Sequence, residues 1–182
     1  YQQAQKNAQA AIESDELNYE AVKKQIQKMI AAAAASKPTL SFTGFICPLK
    51  SYTRISSEYG WRKNPVTGVN KLHAGTDFAA PGGTPIYAIA DGVVSAARTM
   101  NSYGNCVQVS HGTADDGHRY DSLYAHMSSI AVAQGAAVQK GDLLGYVGNT
   151  GNVYGAGGGY HLHLELRVDG SRVDPLGFVP TH

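Results

Sequence analysis

The chain has 182 residues, 15 Lys+Arg against 14 Asp+Glu and a formal net charge of +1, so it carries no electrostatic footprint for nucleic acid. An apolar share of 43% excludes the composition of a disordered chain. No apolar run approaches the roughly 20 residues needed to cross a bilayer. All 21 Gly and all 7 Pro lie at or after position 38, whereas ten Ala lie in the first 35 residues. That shift predicts a helical segment and linker over 1–37 and a separate domain over 38–182. The first residue is Tyr1 rather than Met, which predicts a processed or excised piece of a longer chain.

In the first segment, Tyr19, Val22, Ile26, Met29 and Ala33 recur in steps of three and four, the spacing of a coiled-coil seam. Glu20 and Lys24 add a favourable i,i+4 pair. Pro38 excludes helical geometry at Lys37 and closes the element. One amphipathic helix of this length is marginal alone in water. The segment is therefore expected to meet a helical partner, to lead from a membrane anchor upstream, or to dock on the following domain. As a solvated stalk it sets the domain's distance from an anchor; as a docking helix it is autoinhibitory.

Beyond Thr43 the texture becomes that of short β-prone runs between Gly-rich turns. Strands are expected at Gly44 to Cys47, Pro85 to Ala88, Gly92 to Arg98, Cys106 to His111, Ser122 to His126, Leu144 to Val147 and His161 to Val168. Turns such as Pro81-Gly82-Gly83, Asp91-Gly92 and Lys140-Gly141-Asp142 separate them. The pattern predicts a mainly β, antiparallel domain rather than βαβ units. The two cysteines, Cys47 and Cys106, are distant from each other in sequence and read as unpaired core residues; one disulfide is the alternative.

Seven histidines carry the chemistry. On a strand, His161 and His163 share one face, about 7 Å apart along the backbone, while Leu162, Leu164 and Leu166 share the other. His73 and Asp77, four apart, can share a face of a helix or a strand, and nitrogen with carboxylate donors suits zinc. Three donors and an open position make a catalytic zinc site, and His73, Asp77 and one of His161 or His163 supply three. The spacing alone leaves open which of that pair binds metal. His126 closes Tyr124-Ala125-His126 at the end of an apolar run. His111 reads as structural, His118 as part of a polar loop, and Arg62 as packing and orientation. No H-E-x-x-H motif is present, so a glutamate-base design is excluded.

From about Ser57 to Pro175 the chain resembles the M23 family of zinc metallopeptidases, the lysostaphin/LytM-type peptidoglycan endopeptidases. The matching text runs in family order: Ser57-Glu-Tyr-Gly-Trp-Arg62, Leu72-His-Ala-Gly-Thr-Asp77, Tyr103-Gly-Asn105, Leu123-Tyr-Ala-His-Met127, Lys140-Gly-Asp142, Thr150-Gly151 and His161-Leu-His-Leu-Glu165. The resemblance implies an antiparallel β-sheet core with a groove walled by loops, and zinc held by His73, Asp77 and His163. It implies His126 and His161 as the catalytic histidines that do not bind metal. His161 is assigned as base and later proton donor, and His126 as the group that orients water or stabilises the oxyanion; the two roles are interchangeable on sequence alone. The implied substrate is the peptide of bacterial peptidoglycan, and the implied setting is extracellular and cell-wall associated. The family pattern T-G-x-S-T-G-P-H-L-H is interrupted by nine residues, Asn152 to Tyr160, between Gly151 and His161. Tyr154 and Tyr160 in that insert, expected to be a mobile loop, are candidate substrate contacts. Two other readings compete: a non-catalytic regulator or scaffold of cell-wall hydrolysis behind a coiled coil, and a wall-binding module indifferent to zinc. The five intact site residues favour the enzyme.

Overall fold

The computed structural model describes residues 44–63, 67–153 and 156–181. The helical segment expected over 1–37, with its pairing or anchoring role, lies outside the described residues, as do Tyr154 and His182.

Twelve strands follow in order: β1 (Arg54–Ser57), β2 (Gly60–Lys63), β3 (Asn70–His73), β4 (Thr76–Ala79), β5 (Pro85–Tyr87), β6 (Gly92–Met100), β7 (Gly104–Thr113), β8 (Arg119–Ile130), β9 (Ala137–Val138), β10 (Leu143–Val147), β11 (His161–Val168) and β12 (Ser171–Val173). Ten form one sheet with the path β1-β4-β11-β8-β7-β6-β9, to which β5, β10 and β12 attach; β2 and β3 form a separate two-stranded ribbon. Every pairing is antiparallel, as the short strands and tight turns predict. The helical elements among the described residues are short 3-10 turns, and none is long and apolar enough to cross a membrane.

The sheet's centre explains its own order. Along β11, Leu162, Leu164 and Leu166 are fully buried in the main core with Phe78, Tyr124 and Leu144. An antiparallel sheet often leaves its second face to water. Here that face is covered too: Cys106, Leu123 and Ala125 form a second apolar cluster, with Met100 and Tyr103 against it. His163 and Glu165 on this side of β11 are therefore buried, with His161 and Arg167 half-buried, which sets up the site described below.

The strands expected from Pro85 onward are all present, with small shifts of boundary. Gly44 to Cys47 is not one of them: it is irregular, although Ile46 N–H donates to Ile89 carbonyl and Phe45 and Cys47 are buried. Cys47 and Cys106 are both buried and unpaired, and burial pushes both thiols up.

Candidate active site

Where β11 pairs with β4, His163 stands directly opposite Asp77. Its Nδ1 lies 2.7 Å from Asp77 Oδ1. His73 comes from the other ribbon, and its Nε2 is 3.2 Å from Asp77 Oδ1 and 3.2 Å from His163 Nδ1. The four-residue spacing of His73 and Asp77 is thus not one face of one element. The two residues end and begin different strands in different sheets, and the break at Ala74-Gly75 brings them together. Gly75 is required there for space: a Cβ on it would lie 2.2 Å from the carbonyl oxygen of Leu164 and 3.0 Å from His163 Cε1.

In three of the four histidines the outer nitrogen fixes what the inner nitrogen offers, because a carbonyl oxygen can only accept. His73 Nδ1–H donates to Glu58 carbonyl at 2.7 Å, with Ser57 Oγ 3.2 Å away. His126 Nδ1–H donates to Thr150 carbonyl at 2.8 Å, and His161 Nδ1–H to Gly159 carbonyl at 2.7 Å. The Nε2 atoms of His73, His126 and His161 therefore carry lone pairs. His161 Nε2 is 3.7 Å from Asp77 Oδ1, and the His126 ring lies 4.7 Å from that of His161 and 5.8 Å from that of His163, centre to centre.

His126 reaches the site through a backbone irregularity. In strict alternation it would share a face with Tyr124, which is in the main core. Between β7 and β8 the register steps from Val107↔Tyr124 to Asn105↔Met127, two residues against three. This is a β-bulge on β8, with His126 in the left-handed region at φ 60°. The extra residue lets Tyr124 and Met127 both face the core while His126 turns to the other side.

The electrostatics follow from burial and neighbours. Burial opposes charge on His163, but Asp77 and Glu165 outweigh it and raise its pKa to about 9. Burial would raise Asp77, yet hydrogen bonds from His163 and His73 hold its carboxyl well below the usual range. Burial, with the neighbouring His161 and His163, lowers His126 to about 4, so it is neutral near pH 7.

His73 Nε2, Asp77 Oδ1 and His163 Nδ1 thus converge as three electron-rich atoms, an arrangement that needs a proton or a cation between them. Tetrahedral zinc with bonds of about 2.0–2.2 Å spaces its ligand atoms about 3.3–3.6 Å apart. The observed separations of 2.7–3.2 Å are slightly tighter, and two imidazoles with one carboxylate are donors that zinc accepts.

Tyr160 precedes β11, and its ring packs so closely on Gly82 that a Cβ there would lie 2.7 Å from it. The residue is 42% exposed and immediately precedes His161. Ala156–Gly158 of the insert forms a 3-10 turn. His111 is structural, as expected: Nδ1–H donates to Asp91 carbonyl and Nε2 meets Ser122 Oγ. His118 pairs with Asp169 at the surface, and Arg62 is exposed on β2 rather than packed. Ser57, Glu58, Thr150 and Gly159 belong to the site although sequence reasoning assigned them no role. Three of them act through backbone carbonyls, which leave no signal in residue type.

Residues 71–175 match the model of peptidase family M23. Over 125 residues the chain is 42% identical to the DD-carboxypeptidase/endopeptidase Mpg of Neisseria meningitidis, covering 69% of this chain and 27% of that protein. It is 42% identical over 130 residues to the peptidoglycan DD-endopeptidase ShyA of Vibrio cholerae, covering 71% of this chain and 28% of that protein. The chain therefore spans less than a third of the length of these relatives. Among solved structures it is similar to a zinc-containing peptidase from Vibrio cholerae, with TM-score 0.63, 36% identity, and coverage of 72% of this chain and 39% of that one. It is also similar to the catalytic domain of lysostaphin from Staphylococcus simulans, with TM-score 0.57, 28% identity, and coverage of 68% and 90%. With the match extending from the ribbon that carries His73 to the turn that follows β12, the chain belongs to peptidase family M23.

Proposed function

We propose that this domain is a zinc-dependent endopeptidase that hydrolyses peptide bonds of bacterial peptidoglycan outside the cytoplasm. The observation that carries the reading is the convergence of His73 Nε2, Asp77 Oδ1 and His163 Nδ1 beside two further imidazoles whose Nε2 atoms are free. The names of the Neisseria and Vibrio relatives support the substrate and favour bonds of the DD type.

In this mechanism His73, Asp77 and His163 hold the ion. Bound there, zinc supplies Lewis acidity, polarising a carbonyl and making water acidic enough to attack near neutral pH. His161 accepts the attacking water's proton at Nε2 and delivers it to the leaving amine. Its Nδ1–H is tied to Gly159, so that one nitrogen alone does the transfer. His126, held neutral by burial and with its Nδ1–H tied to Thr150, offers the lone pair of its Nε2 to orient water. The exposed ring of Tyr160 is a wall for the substrate peptide, and Tyr154 a second contact. Residues 1–37 are proposed to pair with another helix or to lead from a membrane anchor.

The test is digestion of purified cell walls by zinc-loaded protein, with and without chelator, and mass spectrometry of the released fragments. The wild type is expected to release peptide fragments cut at one class of cross-link. H126A and H161A are each expected to lose about 10²–10⁴-fold in rate while keeping close to one zinc per chain. No clearing by the zinc-loaded wild type would leave the regulator reading in place. Loss of zinc from folded H126A or H161A would overturn the division of roles.

A further inference from the structure

His163 differs from the other three histidines of the site. Its inner nitrogen is Nδ1 and its outer one Nε2, the reverse of His73, His126 and His161. No backbone carbonyl receives Nε2, which is fully buried and lacks a hydrogen bond within ordinary limits. Among the described residues, the charged group that faces it is Glu165 Oε1, at 3.5 Å. We infer that Glu165, braced by Tyr103 and Arg172, is the positioning residue that holds the proton of His163 on Nε2 and so turns Nδ1 toward the metal; the inference rests on the metal site proposed above.

The side chain of Glu165 is completely buried, a costly place for a carboxylate unless it is paired. Its two oxygens divide the partners. Oε2 accepts from Arg172 Nε at 3.0 Å and from Arg167 at 3.1 Å. Oε1 accepts from the Tyr103 hydroxyl and keeps a lone pair for His163. Arg172 also reaches the Tyr103 hydroxyl at 3.4 Å, closing a ring of contacts that leaves the carboxylate no freedom to swing away. The strand places the pair: Glu165 is two residues beyond His163 on β11, hence on the same face and about 7 Å along it. If Glu165 served only to neutralise the two arginines, either oxygen would do and Tyr103 would not be needed. The arrangement instead spends the arginines on one oxygen and aims the other at an imidazole nitrogen that has no hydrogen bond of its own. A carboxylate behind a metal-binding imidazole fixes its tautomer and strengthens it as a donor.

The experiment combines zinc competition against a chelator of known affinity with long-range proton–nitrogen NMR of the histidine rings. In zinc-loaded wild type, His163 is expected to carry its proton on Nε2 and bind through Nδ1. Glu165→Gln is expected to weaken zinc binding about 10- to 100-fold. Arg167→Met, which disturbs the same cluster but keeps the carboxylate, is expected to stay within about twofold. Zinc affinity unchanged in folded E165Q, or R167M as impaired as E165Q, overturns the inference and leaves the metal site standing. If E165Q does not fold, the wild-type spectrum decides: zinc on Nε2 of His163 overturns it. A wild type that binds no zinc overturns the metal site and this inference together.

Discussion

His163 is pulled in opposite directions, by burial that disfavours its charge and by two carboxylates that favour it. The carboxylates win, and the metal-free pKa stands at about 9. The sign follows from linkage. A histidine raised above its unfolded value of about 6.5 contributes stability that is complete below that pH and is lost as pH rises through about 9. The proton also occupies the place a cation would take, so binding must displace it. Zinc binding near pH 7.5 is therefore expected to release about one proton per chain from this group, declining above pH 9; calorimetry in buffers of different ionisation enthalpy measures it. His126 carries a different burden, a left-handed backbone at φ 60° that costs an L residue about 1–2 kcal/mol. H126A and H126G both lose the imidazole, but only Gly relieves the backbone. The Gly variant is expected to be the more stable by about 1 kcal/mol in urea denaturation, and equal midpoints would show that the bulge bears no strain. Of these features, residue identity was legible in advance: the five side chains that gather here are the five that the family resemblance singles out. The tautomers and the φ of His126 were not: the tautomers depend on which carbonyls the neighbouring loops present, and the φ on a bulge in the register with β7.

The strands differ in how plainly the sequence announces them, and burial explains the difference. β11 alternates Leu with polar residues and was readable to its ends, because its two faces meet chemically different surroundings. β4 gave no such signal: Thr76, Asp77 and Phe78 are all buried, so both faces exclude water and the period of two disappears. The ribbon β2–β3 is short and largely exposed, with Trp61 at 76%, and lacks an apolar face for a pattern to mark. On β8 the alternation was legible up to Tyr124 and then misleads by one residue at the bulge. Between β3 and β4, the decisive element is a turn that is tight because the backbone of β11 lies against it. Gly75→Ala puts a methyl within 2.2 Å of Leu164 carbonyl oxygen, an atom that cannot rotate away. Parting β4 from β11 there is expected to cost about 1–3 kcal/mol and to separate Asp77 from His163. Zinc affinity should fall along with the melting temperature. A variant that melts lower but binds zinc as before would show that the site tolerates movement of β4.

At the scale of the whole domain, the question is whether a metal held by His73, Asp77 and His163 would build the fold or only occupy it. Small zinc modules fold around their ion because they lack a core of their own. Here the main apolar cluster runs from Phe45 to Val179 and includes Phe78, Tyr124, Leu144 and the three leucines of β11, all fully buried. None of these side chains is a candidate ligand; Asp77 and His163 lie on the opposite face of β4 and β11 from those leucines, and His73 lies on the β2–β3 ribbon. The two strands are paired by their own backbone ladder, and Cys47 and Cys106 contribute no disulfide to it. Removing metal should therefore leave the β-sheet intact. The chelated protein is expected to keep its far-ultraviolet circular dichroism and a cooperative melt. Adding zinc back should raise the melting temperature with free-metal concentration, by about 2.7 kcal/mol of stability at one hundred times the dissociation constant. The gain should be smaller at pH 6 than at pH 8, since protons compete for His163 more strongly at the lower value. Collapse of the spectrum on chelation would mean instead that the proton on His163 does not replace the ion in holding Asp77, that β4 unzips from β11, and that the ion is a structural member of the sheet.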